Sequence, residues 1–181
     1  CELYVAPRSR LDKEARIDDN LYHLTLLCKN ELGYRNLVQL VSRAFLEGFY
    51  YKPRVDQELL EKYHEGLIAL SGCVVGEIPR LLQNGDYRGA REKALYYQEL
   101  FGSGNFYLEL QDHGLQEEKA SLPGLLRLSR EDSIPLAASN DCHYLRKKDA
   151  QVHDVLLCIQ TGSVVNDEKR LRFSGSEFYM K

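Results

Sequence analysis

Asp141 and His143 stand two residues apart in Asn140-Asp141-Cys142-His143-Tyr144, directly after the apolar run Ile134-Pro135-Leu136-Ala137-Ala138-Ser139. A carboxylate and an imidazole placed this way at the end of a buried strand can point at one cation. Alone the triplet is a weak signal, since most such triplets are turns in which Asp caps a backbone N–H and His is half exposed. A metal site needs further donors. Cys73 follows the apolar run at 67–70 through the turn Ser71-Gly72, and a thiol held at a strand end can bind metal as thiolate. Cys1-Glu2-Leu3-Tyr4-Val5-Ala6 reads as a strand in progress, which places Glu2 near a carboxyl end and makes the chain look cut from something longer. His23 precedes the run at 24–28, the wrong end if that strand is parallel to the others. On the residues alone, His23 fits a half-buried strand histidine as well as a ligand.

Mixed carboxylate, imidazole and thiolate donors suit zinc, manganese or iron better than magnesium or calcium. Ions of that kind activate water and neutralise phosphate oxygens, so phosphoester hydrolysis is the natural reaction class. No nucleophile elbow, Walker loop or dinucleotide-binding glycine fingerprint competes. The remaining histidines are weaker candidates. His113 follows a strand and could line a site without binding an ion, while His64 and His153 read as surface or capping residues.

Strand-length apolar runs at 3–6, 24–28, 67–70, 106–110 and 135–139 alternate with helical patterns. Leu37, Leu40, Val41, Ala44 and Phe45 define one face of a helix that ends at Gly48. Asp86 caps a second, which carries Ala90, Ala94, Tyr97 and Phe101 to Gly102. A third is predicted to start near Ser121, with Pro123 in its first turn. A fourth carries Val152, Val155, Leu156 and Ile159 and stops at Thr161-Gly162. This alternation argues for an α/β fold, a mainly parallel sheet or barrel covered by helices. Functional residues then gather at the carboxyl ends of the strands.

The chain has 181 residues, 44% hydrophobic and 28% charged, enough for one domain with a sizeable core. Its net charge of −3 disfavours a free-standing nucleic-acid-binding module. No apolar run approaches the roughly 20 residues of a membrane span, so a cytoplasmic protein without membrane contact is expected. Five widely spaced cysteines without a CxxC pair predict reduced thiols, with Cys28 and Cys158 as small core residues.

The runs at 23–30 (HLTLLCKN), 33–37 (GYRNL), 47–54 (EGFYYKPR), 66–73 (GLIALSGC), 105–114 (NFYLELQDHG), 140–144 (NDCHY) and 153–162 (HDVLLCIQTG) resemble, in order, the polymerase and histidinol phosphatase (PHP) domain. The likeness is to the branch found in alpha subunits of bacterial DNA polymerase III, and the Lys-Pro-Arg and Leu-Ser-Gly-Cys strings set it apart from the phosphatase branch. The resemblance implies an incomplete, distorted seven-stranded β/α barrel over residues 1–161, lacking its first strands. Residues 162–181 would be a linker entering a following polymerase domain. It implies metal ligands at Glu2, His23, Cys73, Asp141 and His143, with up to three ions in a complete site, and it leaves His64, His113 and His153 as non-ligands.

The family's opening His-x-His motif would lie upstream of Cys1. No Asp-x-Asp pair of a polymerase palm occurs, so the chain alone is not expected to polymerise DNA. The parent would be a DNA-directed DNA polymerase in which this domain acts as a metal-dependent 3′–5′ exonuclease. The alternative is a non-catalytic scaffold that stabilises the polymerase and docks a separate proofreading exonuclease, and a family phosphatase ranks third. The implied partners are DNA and replicative holoenzyme subunits. Isolated from its parent, a chain lacking its first strands is expected to be marginally stable.

Overall fold

The structure, a computed structural model, describes residues 1–181. Six strands and six α-helices follow in the order β1 (Glu2–Val5), β2 (Tyr22–Cys28), α1 (Glu31–Leu46), β3 (Arg54–Val55), α2 (Gln57–Tyr63), β4 (Leu67–Leu70), α3 (Glu77–Gln83), α4 (Tyr87–Phe101), β5 (Phe106–Leu110), α5 (Gln116–Asp132), β6 (Leu136–Ala138) and α6 (Ala150–Thr161). The strands form one sheet in the order β3-β1-β2-β4-β5-β6. No helix is long and apolar enough to cross a membrane.

The sheet is mainly parallel, as expected, with five strands sharing one direction, but it is mixed because β2 alone runs against them. β1 and β3, β4 and β5, and β5 and β6 pair in parallel, but β2 runs antiparallel to both β1 and β4. The connection from β1 to β2 contains no crossover helix, so the chain turns back beside itself instead of crossing over the sheet. In register, Thr25 lies opposite Glu2 on one side and Leu70 on the other. His23, two residues before Thr25, therefore stands just beyond the carboxyl end of β4.

Alternation along the strands builds the core. Leu3 and Val5, Leu24 and Leu26, Leu67 and Ala69 all point to one buried cluster, joined there by Leu40 and Ala44 of α1 and by Ala90, Ala94, Tyr97 and Phe101 of α4. Each large aliphatic side chain so buried contributes about 1.5–3 kcal/mol. Phe45 falls off this face and is 57% exposed. Cys28 is also exposed, contrary to the core position expected: it ends β2 opposite Leu67 of β4, past the point where β1 pairs with the strand. Cys158 is buried as expected.

The start of α5 lies upstream of the predicted Ser121. Both Glu118 oxygens are engaged at its head, and Oε2 accepts the N–H groups of His113 and Leu115 at 2.8 and 3.0 Å. That cap nucleates the helix at Gln116 and leaves Pro123 in its interior, where the N–H missing from the ring costs one backbone bond. The apolar face predicted for α6 is not core: Val152, Val155, Leu156 and Ile159 are all exposed, and Leu157 and Cys158 are buried instead.

The long β1–β2 connection is held by charge. Arg54 is fully buried and donates to four backbone carbonyls, those of Gly48, Asp18, Arg10 and Asp12, at 2.6–2.9 Å. Arg10 in turn donates to Asp56, which also caps α2 through the Leu59 N–H. Arg54→Met fills similar space but strands those carbonyls, so a loss of about 3 kcal/mol or more is expected in urea unfolding. Asp18 accepts two bonds from Arg8, and these, ahead of the Glu14 N–H bond, hold its carboxyl below the ordinary range. The stability it contributes is therefore complete above the unfolded carboxyl range near pH 4 and is lost as pH falls through the lowered folded value. Asp18→Asn is expected to destabilise the chain at neutral pH and to flatten this part of the acid limb of a stability–pH profile.

Candidate metal centre

Three donors converge where β1, β2 and the end of β4 meet. The ligand atoms of Glu2, His23 and Cys73 all lie within 4.8 Å of one another. Their placement follows from the strand register. Glu2 opens β1, not the carboxyl end where the sequence suggests it, and reaches the site because its register neighbour Thr25 sits level with Leu70 at the end of β4. His23 lies inside β2, and the antiparallel direction of that strand brings its early residues to the carboxyl end of β4. Tyr4, directly opposite His23, packs edge-on against the imidazole at 5.1 Å and sets its plane.

Cys73 is delivered by a tight turn. Ser71, 2% exposed, accepts the Glu109 N–H at 2.9 Å and donates its own N–H to the Tyr107 carbonyl at 3.0 Å, which fixes the end of β4 against β5. Gly72 follows with φ +83, and a Cβ there would stand 2.5 Å from the His23 carbonyl oxygen. Only glycine fits both the dihedral and the approach. The Cys73 thiol then lies 3.6 Å from His23 Nδ1.

Glu2 and His23 form a direct ion pair. Burial by itself lowers the His23 pKa, but hydrogen bonds to Cys73 and Glu2 outweigh it and raise the value to about 9. The same bond from His23 lowers the Glu2 carboxyl, with further help from the charges of His23 and His143. A carboxylate, an imidazole and a thiol so close together form a donor set of the soft and borderline kind that zinc, iron or manganese takes. Their spread is one that an ion with bonds of about 2.0–2.3 Å spans with small adjustments. The residues fit a metal.

Asp141 and His143 lie outside this tight group but line the same cleft, of about 330 Å³, together with Arg172, Phe173 and Phe178. The two contact each other, with His143 Nε2 3.3 Å from Asp141 Oδ1. Both come from the loop after β6, whose backbone is tied from outside. The Asp141 N–H donates to His113 Nε2 at 3.1 Å, and the His143 N–H donates to the Phe178 carbonyl at 2.8 Å. His64 stands elsewhere, its Nδ1 bonding the Glu61 carbonyl at the end of α2, whereas His153 packs between Phe173 and Tyr144 with its ring 5.3 Å from that of His143.

Several groups around the cleft carry no sequence signal as site residues. Residues 162–181 fold back over it, so that Phe178, 4% exposed, stacks on the His113 ring at 4.5 Å. Glu118, upstream of the helix start predicted at Ser121, offers one signal, an acidic residue that suits the first turn of a helix. Glu109 is buried beside the Ser71-Gly72-Cys73 turn, where one carboxylate oxygen bonds Gln111 and Ser139 and the other has no partner.

DNA polymerase III subunit alpha of Treponema pallidum is 52% identical over 182 residues, covering 100% of this chain and 16% of that protein. The proteins of the same name from Deinococcus radiodurans and Thermus aquaticus are 46% and 44% identical, each over 99% of this chain and 14% and 15% of their own lengths. The chain thus spans between 14% and 16% of these relatives. The family model described as PHP domain matches residues 1–113, and on that match the chain belongs to the PHP domain family.

Proposed function

We propose that this chain is the PHP segment of a bacterial DNA polymerase III alpha subunit. In that setting its cleft binds divalent cations and removes 3′-terminal nucleotides from DNA by phosphodiester hydrolysis. The single observation that carries the metal reading is the convergence of Glu2, His23 and Cys73 within 4.8 Å, with Asp141 and His143 on the same cleft. The polymerase assignment is supported by relatives that match the chain from end to end at 44–52% identity. It entails a cytoplasmic protein working on DNA with replicative holoenzyme subunits. The six-stranded sheet is then a part of the family's distorted seven-stranded barrel, with residues 1–161 as the domain and 162–181 as the segment leading out of it.

Glu2, His23 and Cys73 would hold one cation, and Asp141 with His143 would complete that site or hold another; zinc, manganese or iron suits the set. A bound ion supplies Lewis acidity toward water and toward a phosphate oxygen. The protein's own side chains do the rest. Arg172 brings a positive charge to the cleft that suits a phosphodiester anion, and Phe173 and Phe178 give it an apolar wall that limits water. Cys73 must bind as thiolate and His23 as neutral imidazole, so both give up protons on loading.

The second reading is a non-catalytic scaffold that docks a separate proofreading exonuclease. It is favoured by one observation, the contiguous exposed apolar face of α6 formed by Val152, Val155, Leu156 and Ile159. Metal content separates the two, since a pure scaffold carries substoichiometric metal.

Replacing Asp141 and His143 together with Asn and Ala, in the protein that carries this chain, is expected to abolish metal-dependent 3′–5′ exonuclease activity while leaving polymerase activity in place. Exonuclease activity unchanged in the double variant sinks the catalytic reading. Gly72→Ala is expected to push Cys73 off His23, and metal analysis of the purified variant should show less bound metal than the parent.

A further inference from the structure

The loop that carries Asp141 and His143 has no helix or strand of its own, yet both residues meet on one cleft. A single buried ring accounts for this. His113, 4% exposed, donates or accepts at both nitrogens: Nδ1 lies 2.6 Å from Glu118 Oε1, and Nε2 lies 3.1 Å from the Asp141 backbone nitrogen. A backbone N–H can only donate, so Nε2 is the acceptor and the ring proton sits on Nδ1, pointing at the carboxylate. The same ring stacks face to face on Phe178 at 4.5 Å and 2°, and the carbonyl of Phe178 accepts the His143 N–H at 2.8 Å. One imidazole thus ties both donors, Asp141 by a direct bond and His143 through the residue stacked on it.

Glu118 holds that ring in place. Its second oxygen accepts the His113 and Leu115 N–H groups, so the carboxylate clamps the backbone on which His113 rides as well as the imidazole. Glu118 is 7% exposed and neither residue belongs to the tight donor group. Burial of a hydrogen-bonded carboxylate–imidazole pair that contacts no ligand atom, only the ligand's backbone, is the geometry of an orienting support.

We propose that Glu118 and His113 are positioning residues that hold the Asp141–His143 loop in its metal-binding arrangement by fixing the His113 tautomer. This rests on the metal reading of the cleft. The tautomer is the sensitive point. In Glu118→Gln the amide oxygen can keep both backbone N–H groups, but the amide NH2 then faces Nδ1. The ring proton must move to Nε2, where it opposes the Asp141 N–H, and the loop loses its anchor although side-chain shape and the helix cap persist.

Cobalt(II) titration of the protein that carries this chain tests the idea, read by the thiolate-to-cobalt charge-transfer band of Cys73 and by the ligand-field bands that report the remaining donors. The parent is expected to show both, and Asp141→Asn is expected to weaken binding and change the ligand-field bands. Glu118→Gln and His113→Leu are expected to reproduce the Asp141→Asn spectrum with affinity lowered roughly 10–100-fold, while the thiolate band persists at saturation. His113→Gln, whose amide oxygen can take the Asp141 N–H, should recover part of that loss. A parent that gives no thiolate band overturns the metal reading itself. A parent that binds, with Asp141→Asn weakened but Glu118→Gln and His113→Leu unchanged, overturns the positioning role alone. So does a parent whose binding ignores Asp141→Asn, since there is then no ligand to position.

Discussion

The direction of β2 is the constraint on which the site depends. A strand inserted antiparallel between two others that run parallel to each other places its first residues beside the last residues of its neighbour. His23 thereby reaches the turn after β4, and Cys73 comes within 3.6 Å of it. Register does the rest: Thr25 faces Glu2 on one flank and Leu70 on the other, so the carboxylate, imidazole and thiol arrive at one level of the sheet. A shift of one residue in either pairing would send Glu2 or His23 to the opposite face. Because that opposite arrangement would expose Leu3, Val5, Leu24 and Leu26, the hydrophobic core and the donor cluster enforce the same register.

Away from the sheet, the fold relies on buried charge to hold segments that lack regular structure. Arg54 gathers four carbonyls from the β1–β2 connection and the end of α1, and Asp56 joins that connection to α2 through Arg10. These contacts join parts of the chain far apart in sequence, where an apolar side chain could fill space but could not satisfy carbonyl oxygens. The His113–Glu118 pair does the same service on the other flank of the cleft. In both places a charged side chain does for a loop what backbone ladders do for strands.

The last residues of the chain complete the cleft. Phe173 and Phe178 pack against His143, and the Phe178 carbonyl takes the His143 N–H. This is a weak local structure by composition, polar and without strand or helix, stabilised by aromatic contacts with three histidines and by the Tyr144–Tyr179 bridge. The face of α6 that precedes it is left apolar and exposed.

Most elements were legible in the sequence because their causes are local. The runs at 67–70 and 106–110 became β4 and β5 with the same bounds, Asp86 and Gly102 bracket α4, and Gly162 ends α6, since alternation, caps and positive-φ glycines act over a few residues. The donor residues were legible as residue types, with the chain-wide resemblance pointing to particular positions. The sequence did not show the antiparallel β2, the early start of α5, the exposure of Cys28 and of the α6 face, or the roles of Glu118 and Phe178. Each of these depends on a partner distant in the chain. Local periodicity determines that His23 belongs to a strand and that Cys73 follows one. Only the order and direction of strands in the sheet decide that the two meet, because pairing energy is set between segments and leaves no mark on the spacing within either.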